Sequence, residues 1–132
     1  MTRRQARQLA LKALYQMETV GTGVDEALAS ASEGLTVDEE GIEFARALAD
    51  GASNMAQELD DTIRPNLKGW LLERLPQIDL AILRMALFEM LTTGTAHSVI
   101  INEAVELAKE YSTQESGSFV NGVLGTLARR MG

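Results

Sequence analysis

Apolar residues recur at intervals of three and four along all 132 residues, and no alternating run of β-branched residues competes with that period. The pattern predicts an all-α fold. A first helix is expected from about Arg3 to Val20, stopping at Gly21-Thr22-Gly23, and a short second one from about Val24 to Glu33, stopping at Gly34. A third begins near Thr36 or Asp38, with acids in its first turn where the helix dipole favours them, and runs through Leu59 to end before Arg64-Pro65. Pro65 suits the first turn of a fourth helix, roughly Pro65 to Leu75, and Pro76 that of a fifth, roughly Pro76 to Thr92. A sixth covers about Ser98 to Tyr111. A seventh covers about Thr113 to Arg130, with Ser112-Thr113-Gln114-Glu115 at the spacing of a capping box.

Two of these helices carry more than a boundary. In the fifth, "IDLAILRMALFEML", the charges Asp79, Arg84 and Glu89 point in three directions while apolar side chains cover nearly the whole circumference. Such a helix is either a central core element or one that leaves a side open for another protein. In the first, Ala6, Leu9, Ala10, Ala13, Leu14 and Met17 form an apolar face, and Arg4, Arg7, Gln8, Leu11 and Tyr15 fall on an adjacent stripe that this face does not use.

Composition bounds the class. The length suits one domain that buries about two thirds of the surface its unfolded chain exposes. There are no cysteines, so disulfides and thiolate chemistry are excluded. No signal peptide or membrane span is legible, because Arg84 and Glu89 interrupt the most apolar stretch, and a cytoplasmic location is expected.

The formal net charge of −7 hides an uneven distribution. Residues 1–17 carry Arg3, Arg4, Arg7 and Lys12 and no acid, residues 18–61 carry twelve acids against Arg46 alone, and residues 62–132 balance at seven each. Guanidinium groups pair with phosphates and stack on bases, a tyrosine ring stacks on bases, and a glutamine amide reads base edges, so the stripe on the first helix suits RNA. Single strands suit it better than a duplex, because splayed bases need stacking partners and one short basic stripe offers little charge. The competing interpretation is a solvated face with Tyr15 as a packing residue.

Catalytic constellations are missing. No phosphate-binding glycine loop and no nucleophile elbow occurs, and His97, the single histidine, has no second histidine with which to share a metal. The acids of Asp38-Glu39-Glu40 and Asp60-Asp61 read as a helix start and a solvated face. No enzyme activity, cofactor or metal is expected. In the last helix, Phe119, Val120, Val123, Leu124 and Leu127 make the buried stripe, while Gly122 and Gly125, each costing about 1 kcal/mol against Ala, suggest a close backbone approach to the first helix.

Three stretches together, "RRQARQLALKALYQ", "IDLAILRMALFEM" and "VIINEAVELAKEYSTQESGSFVNGVLGTLAR", resemble the NusB family of transcription antitermination factors in order and spacing. "INEAVELAK" followed by "FVNGVLG" is the most specific part, and the likeness covers essentially the whole chain. It implies about seven helices in two small packed bundles, with residues 1–132 forming a single RNA-binding domain. It also implies binding to the boxA element of nascent ribosomal RNA together with the small-subunit ribosomal protein that doubles as NusE, and through them indirect engagement of other Nus factors and RNA polymerase.

Where residues match, the resemblance implies an RNA surface of Arg3, Arg4, Arg7, Gln8, Tyr15, Glu115, Ser116 and Phe119, and a protein-partner surface of Asp79, Arg84 and Phe88. Gln5 stands where relatives carry another basic residue. Two alternatives stand beside this function: a helical adaptor that binds only protein, and a stand-alone relative of the RNA-binding domain of ribosomal RNA cytosine methyltransferases. The likeness is compatible with a monomer or a homodimer.

Overall fold

The computed structural model describes residues 1–132 as seven α-helices with no strand. They divide into two compact units, Met1–Asn54 and Met55–Gly132. The first holds α1 (Arg3–Val20), α2 (Val24–Ala31) and α3 (Glu39–Asn54), and the second holds α4 (Ala56–Ile63), α5 (Gln77–Thr92), α6 (His97–Tyr111) and α7 (Gln114–Met131). No helix is long and apolar enough to cross a membrane.

In the first unit α1 packs against both α2 and α3. Its start is held by a capping box in which Thr2 Oγ1 accepts from the Gln5 N–H and Gln5 Oε1 accepts from the Thr2 N–H. It ends at Gly21, whose φ of 86° is left-handed and whose N–H closes on the Met17 carbonyl. With two neighbours to cover it, α1 buries a wider arc than one apolar face. Leu11 and Arg7, expected on the free stripe, are both buried, at 1% and 6% exposure.

The expected long third helix is two helices, interrupted at Met55. Gly51, Ser53 and Asn54 are weak helix formers, and together they end α3 where hydrophobic periodicity alone runs on. The expected fourth helix is absent. Residues 64–76 form two short 3-10 turns, Arg64–Asn66 and Leu72–Arg74, around Gly69 at φ 85°. A left-handed glycine cannot continue a helix, and Pro76 forces Leu75 into an extended conformation. Arg64 and Glu73 bridge this segment across its ends at 2.5 Å.

In the second unit α5 is the central element, packed against α4, α6 and α7. It buries Asp79, Ala81, Ile82, Leu83, Met85, Ala86, Leu87, Glu89 and Met90, which lie on all sides of the helix. Arg84 is not at the rim: its Nε and Nη2 each meet the Asp60 carboxylate at 2.7 Å, with the two side chains 13% and 15% exposed. Asp60, expected on a solvated face, is thus part of a largely buried bidentate pair that ties α4 to α5. The cap of α7 is Thr113, one residue later than expected, with Oγ1 accepting from the Ser116 N–H at 3.0 Å. A Cβ added at Gly122 would meet nothing within 4 Å, so the close approach expected there is absent. At Gly125 an added Cβ would meet only the Arg129 guanidinium of the same helix, at 3.5 Å, and the tight position is Gly117, where it would lie 2.9 Å from the Lys109 side chain of α6.

Candidate nucleic-acid interface

The basic end of α1 is engaged by the acidic start of α3. Asp38 caps α3 by accepting from the Gly41 N–H at 2.7 Å, and its other oxygen meets the Met1 ammonium at 2.5 Å. That ammonium first, and the Gly41 N–H second, hold the Asp38 carboxyl below its usual range. Arg3 lies 4.0 Å above the Phe44 ring and 3.5 Å from Glu40, and Arg7 sits 5.4 Å from the same ring. The cation–π contacts and the acids of α3 offset the unfavourable placement of cations at a helix N-terminus. Arg4, Gln8, Lys12 and Tyr15 form the narrower outward stripe, with Tyr15 39% exposed and Gln8 half-buried.

In the second unit the first turn of α7 and the start of α5 build one site. The Ser116 hydroxyl donates to Asp79 Oδ2 at 2.8 Å and accepts from the Thr113 hydroxyl at 3.0 Å, with Ser112 Oγ also 3.0 Å away. Asp79 is 4% exposed, and its Oδ1 has no hydrogen-bond partner. Glu115 is exposed beside this network, and Phe119, one turn further along α7, is half-buried. Its ring meets Trp70 edge-on, with centroids 5.8 Å apart and planes at 66°. Trp70, Leu75, Pro76, Asp79, Glu115, Ser116 and Phe119 enclose a mostly apolar cavity of about 220 Å³. A second cavity of about 220 Å³ touches the same aromatic pair and is also lined by Asn66, Lys68, Ser118, Gly122 and Thr126.

The structure therefore brings Glu115, Ser116 and Phe119 together and adds Asp79, which the resemblance places on the protein-partner side. Arg3, Arg4, Arg7, Gln8 and Tyr15 all belong to α1, where the burial of Arg7 removes it from the outward stripe. The interior pairs of Asp79 and Arg84 leave Phe88, half-buried, as the member of the partner group with surface to offer. Trp70 is the residue that sequence reasoning missed: assigned to a helix, it had no distinct role, yet in its loop it is 60% exposed and walls both cavities. The glycine before it was the available signal.

A family model described as the NusB family matches residues 4–129. The chain belongs to the NusB family. A NusB relative from Symbiobacterium thermophilum, named a transcription antitermination protein, is 45% identical over 140 residues, spanning 99% of this chain and 92% of its own. The solved structure of T. maritima NusB is 35% identical with a TM-score of 0.88, over 98% of this chain and 92% of that one. A crystal structure of antitermination factors NusB and NusE in complex with dsRNA superposes with a TM-score of 0.84 at 27% identity, covering 98% of this chain and 99% of that one.

Proposed function

We propose that the chain is a transcription antitermination factor that binds the boxA element of nascent ribosomal RNA as a single strand, together with the small-subunit ribosomal protein acting as NusE. It works by binding and not by catalysis, with residues 1–132 serving as one RNA-binding domain. The observation that carries this reading is the Phe119 cavity, where an aromatic wall stands beside a buried carboxylate oxygen without a donor. An unpaired base supplies what both lack, a ring to stack and an N–H to donate. A duplex keeps those base edges paired and stacked, so it offers neither.

Arg3 and Arg4, with Gln8 and Tyr15, form the α1 part of the RNA surface. On the partner side, half-buried Phe88 and Leu91, one turn on and 50% exposed, give the end of α5 an apolar edge for the ribosomal protein. The test is transcription with purified components from a template carrying boxA upstream of a terminator, with the ribosomal protein and the other Nus factors present. Adding this chain is expected to raise readthrough on that template and not on one with boxA scrambled. Equal readthrough on both, or none on either, rejects the proposal.

A further inference from the structure

We propose that the second cavity beside the Trp70–Phe119 pair is a seat for one unpaired RNA base that carries an amino group at the position where uracil carries O4, cytosine or its purine counterpart adenine, with Asn66 reading that amine. This rests on the RNA-binding reading above and adds Asn66, Lys68 and Trp70 to it. Asn66 is 8% exposed; its Nδ2 donates to the Thr62 carbonyl at 3.0 Å, and its Oδ1 has no partner. A buried amide oxygen left without a donor is costly, and such groups are normally satisfied by protein, water or ligand.

Three further features fit a base. Trp70, held on a loop clamped by Arg64 and Glu73, offers an exposed indole for a planar ring. Exposed Lys68 on the cavity wall supplies a cation for the adjoining phosphate. Gly122 on α7 leaves the cavity open, since an added Cβ there would meet nothing within 4 Å. The amines of cytosine and adenine present a donor where uracil presents its O4 acceptor, so uracil would set an acceptor against the Asn66 oxygen. An apolar side chain from a protein partner would fill the space but leave that oxygen unsatisfied.

Trp70 is the one tryptophan of the chain, so its fluorescence reports this seat directly. The full-length chain is titrated with 5′-labelled single-stranded oligo(C), oligo(A) and oligo(U) dodecamers, following label anisotropy and Trp70 emission. Oligo(C) or oligo(A) is expected to quench Trp70 and to bind roughly three- to tenfold more tightly than oligo(U), the range of one added hydrogen bond. Gly122→Leu, which fills the cavity and improves helix propensity, should keep the fold, weaken binding severalfold and erase the base preference.

RNA binding with no Trp70 response and no base preference overturns the seat while leaving the RNA reading intact, and does so without any variant. Wild-type RNA binding by Gly122→Leu, with loss of ribosomal-protein binding, overturns it in favour of a protein site. Failure to bind any homopolymer while a single-stranded boxA RNA is bound in the presence of the ribosomal protein overturns the seat alone, and failure to bind boxA RNA under those conditions overturns both readings.

Discussion

Tyr15 and Phe119 differ in setting although both are candidate stacking rings. Tyr15 stands on the outward stripe of α1, whereas Phe119 is half-buried between two cavities. Replacing either by Ala should cost about 1–3 kcal/mol of RNA binding and leave the salt slope unchanged, since a ring neutralises no phosphate. Tyr15→Phe, which keeps the ring, should be nearly silent. The arginines separate by burial. Arg4→Ala should flatten log K against log salt by about 0.7 and spare stability, whereas Arg7→Ala should lower the unfolding free energy by about 0.5–2 kcal/mol and leave the slope alone. Urea denaturation and a salt series on both variants check this. A helical wheel separates apolar from polar side chains, but it does not say how many neighbours a helix has. That is why the identities of the stripe were legible and the burial of Arg7 and Leu11 was not.

Helices α1, α5, α6 and α7 were legible to within a few residues because caps, prolines and glycines flank strong apolar periods. The break at Met55 and the loss of the expected fourth helix were not, since weak formers and Gly69 overrode a period that continued through them. The Arg84–Asp60 pair was illegible for another reason, as its partners lie on different helices and only the fold brings them together. Arg84→Ala would strand a largely buried carboxylate and should cost about 3–5 kcal/mol, while a double replacement of Arg84 and Asp60 by well-packed apolar residues should recover most of that. Chemical denaturation of the single and double variants measures the difference. The Arg64–Glu73 clamp makes a pH prediction. The Arg64 guanidinium holds the Glu73 carboxyl below its usual range, so the stability it gives is fully present above the ordinary glutamate value and is lost as pH falls through the lowered one. Trp70 emission should shift in that acid window in the native chain, and Glu73→Gln should remove the transition.

Across the whole molecule, charge is arranged for partners inside the fold as well as outside it. Acids of the central segment meet Arg3, Arg46 and Arg84 within the chain, and Arg4, Lys12 and Lys68 are exposed at its surface. Fold class and family were readable because periodicity and motif extend over the entire chain. The cavities were not, because Trp70, Asp79 and Phe119 come from three separate segments of the second unit. The most direct measurement of the central claim is anisotropy of a labelled single-stranded boxA RNA with the wild-type chain over a salt series, alongside a scrambled strand and a boxA duplex. The account predicts preference for the single boxA strand and modest affinity with a shallow slope, tightened by the ribosomal protein. Equal binding to all three RNAs, or a steep slope favouring the duplex, would contradict it.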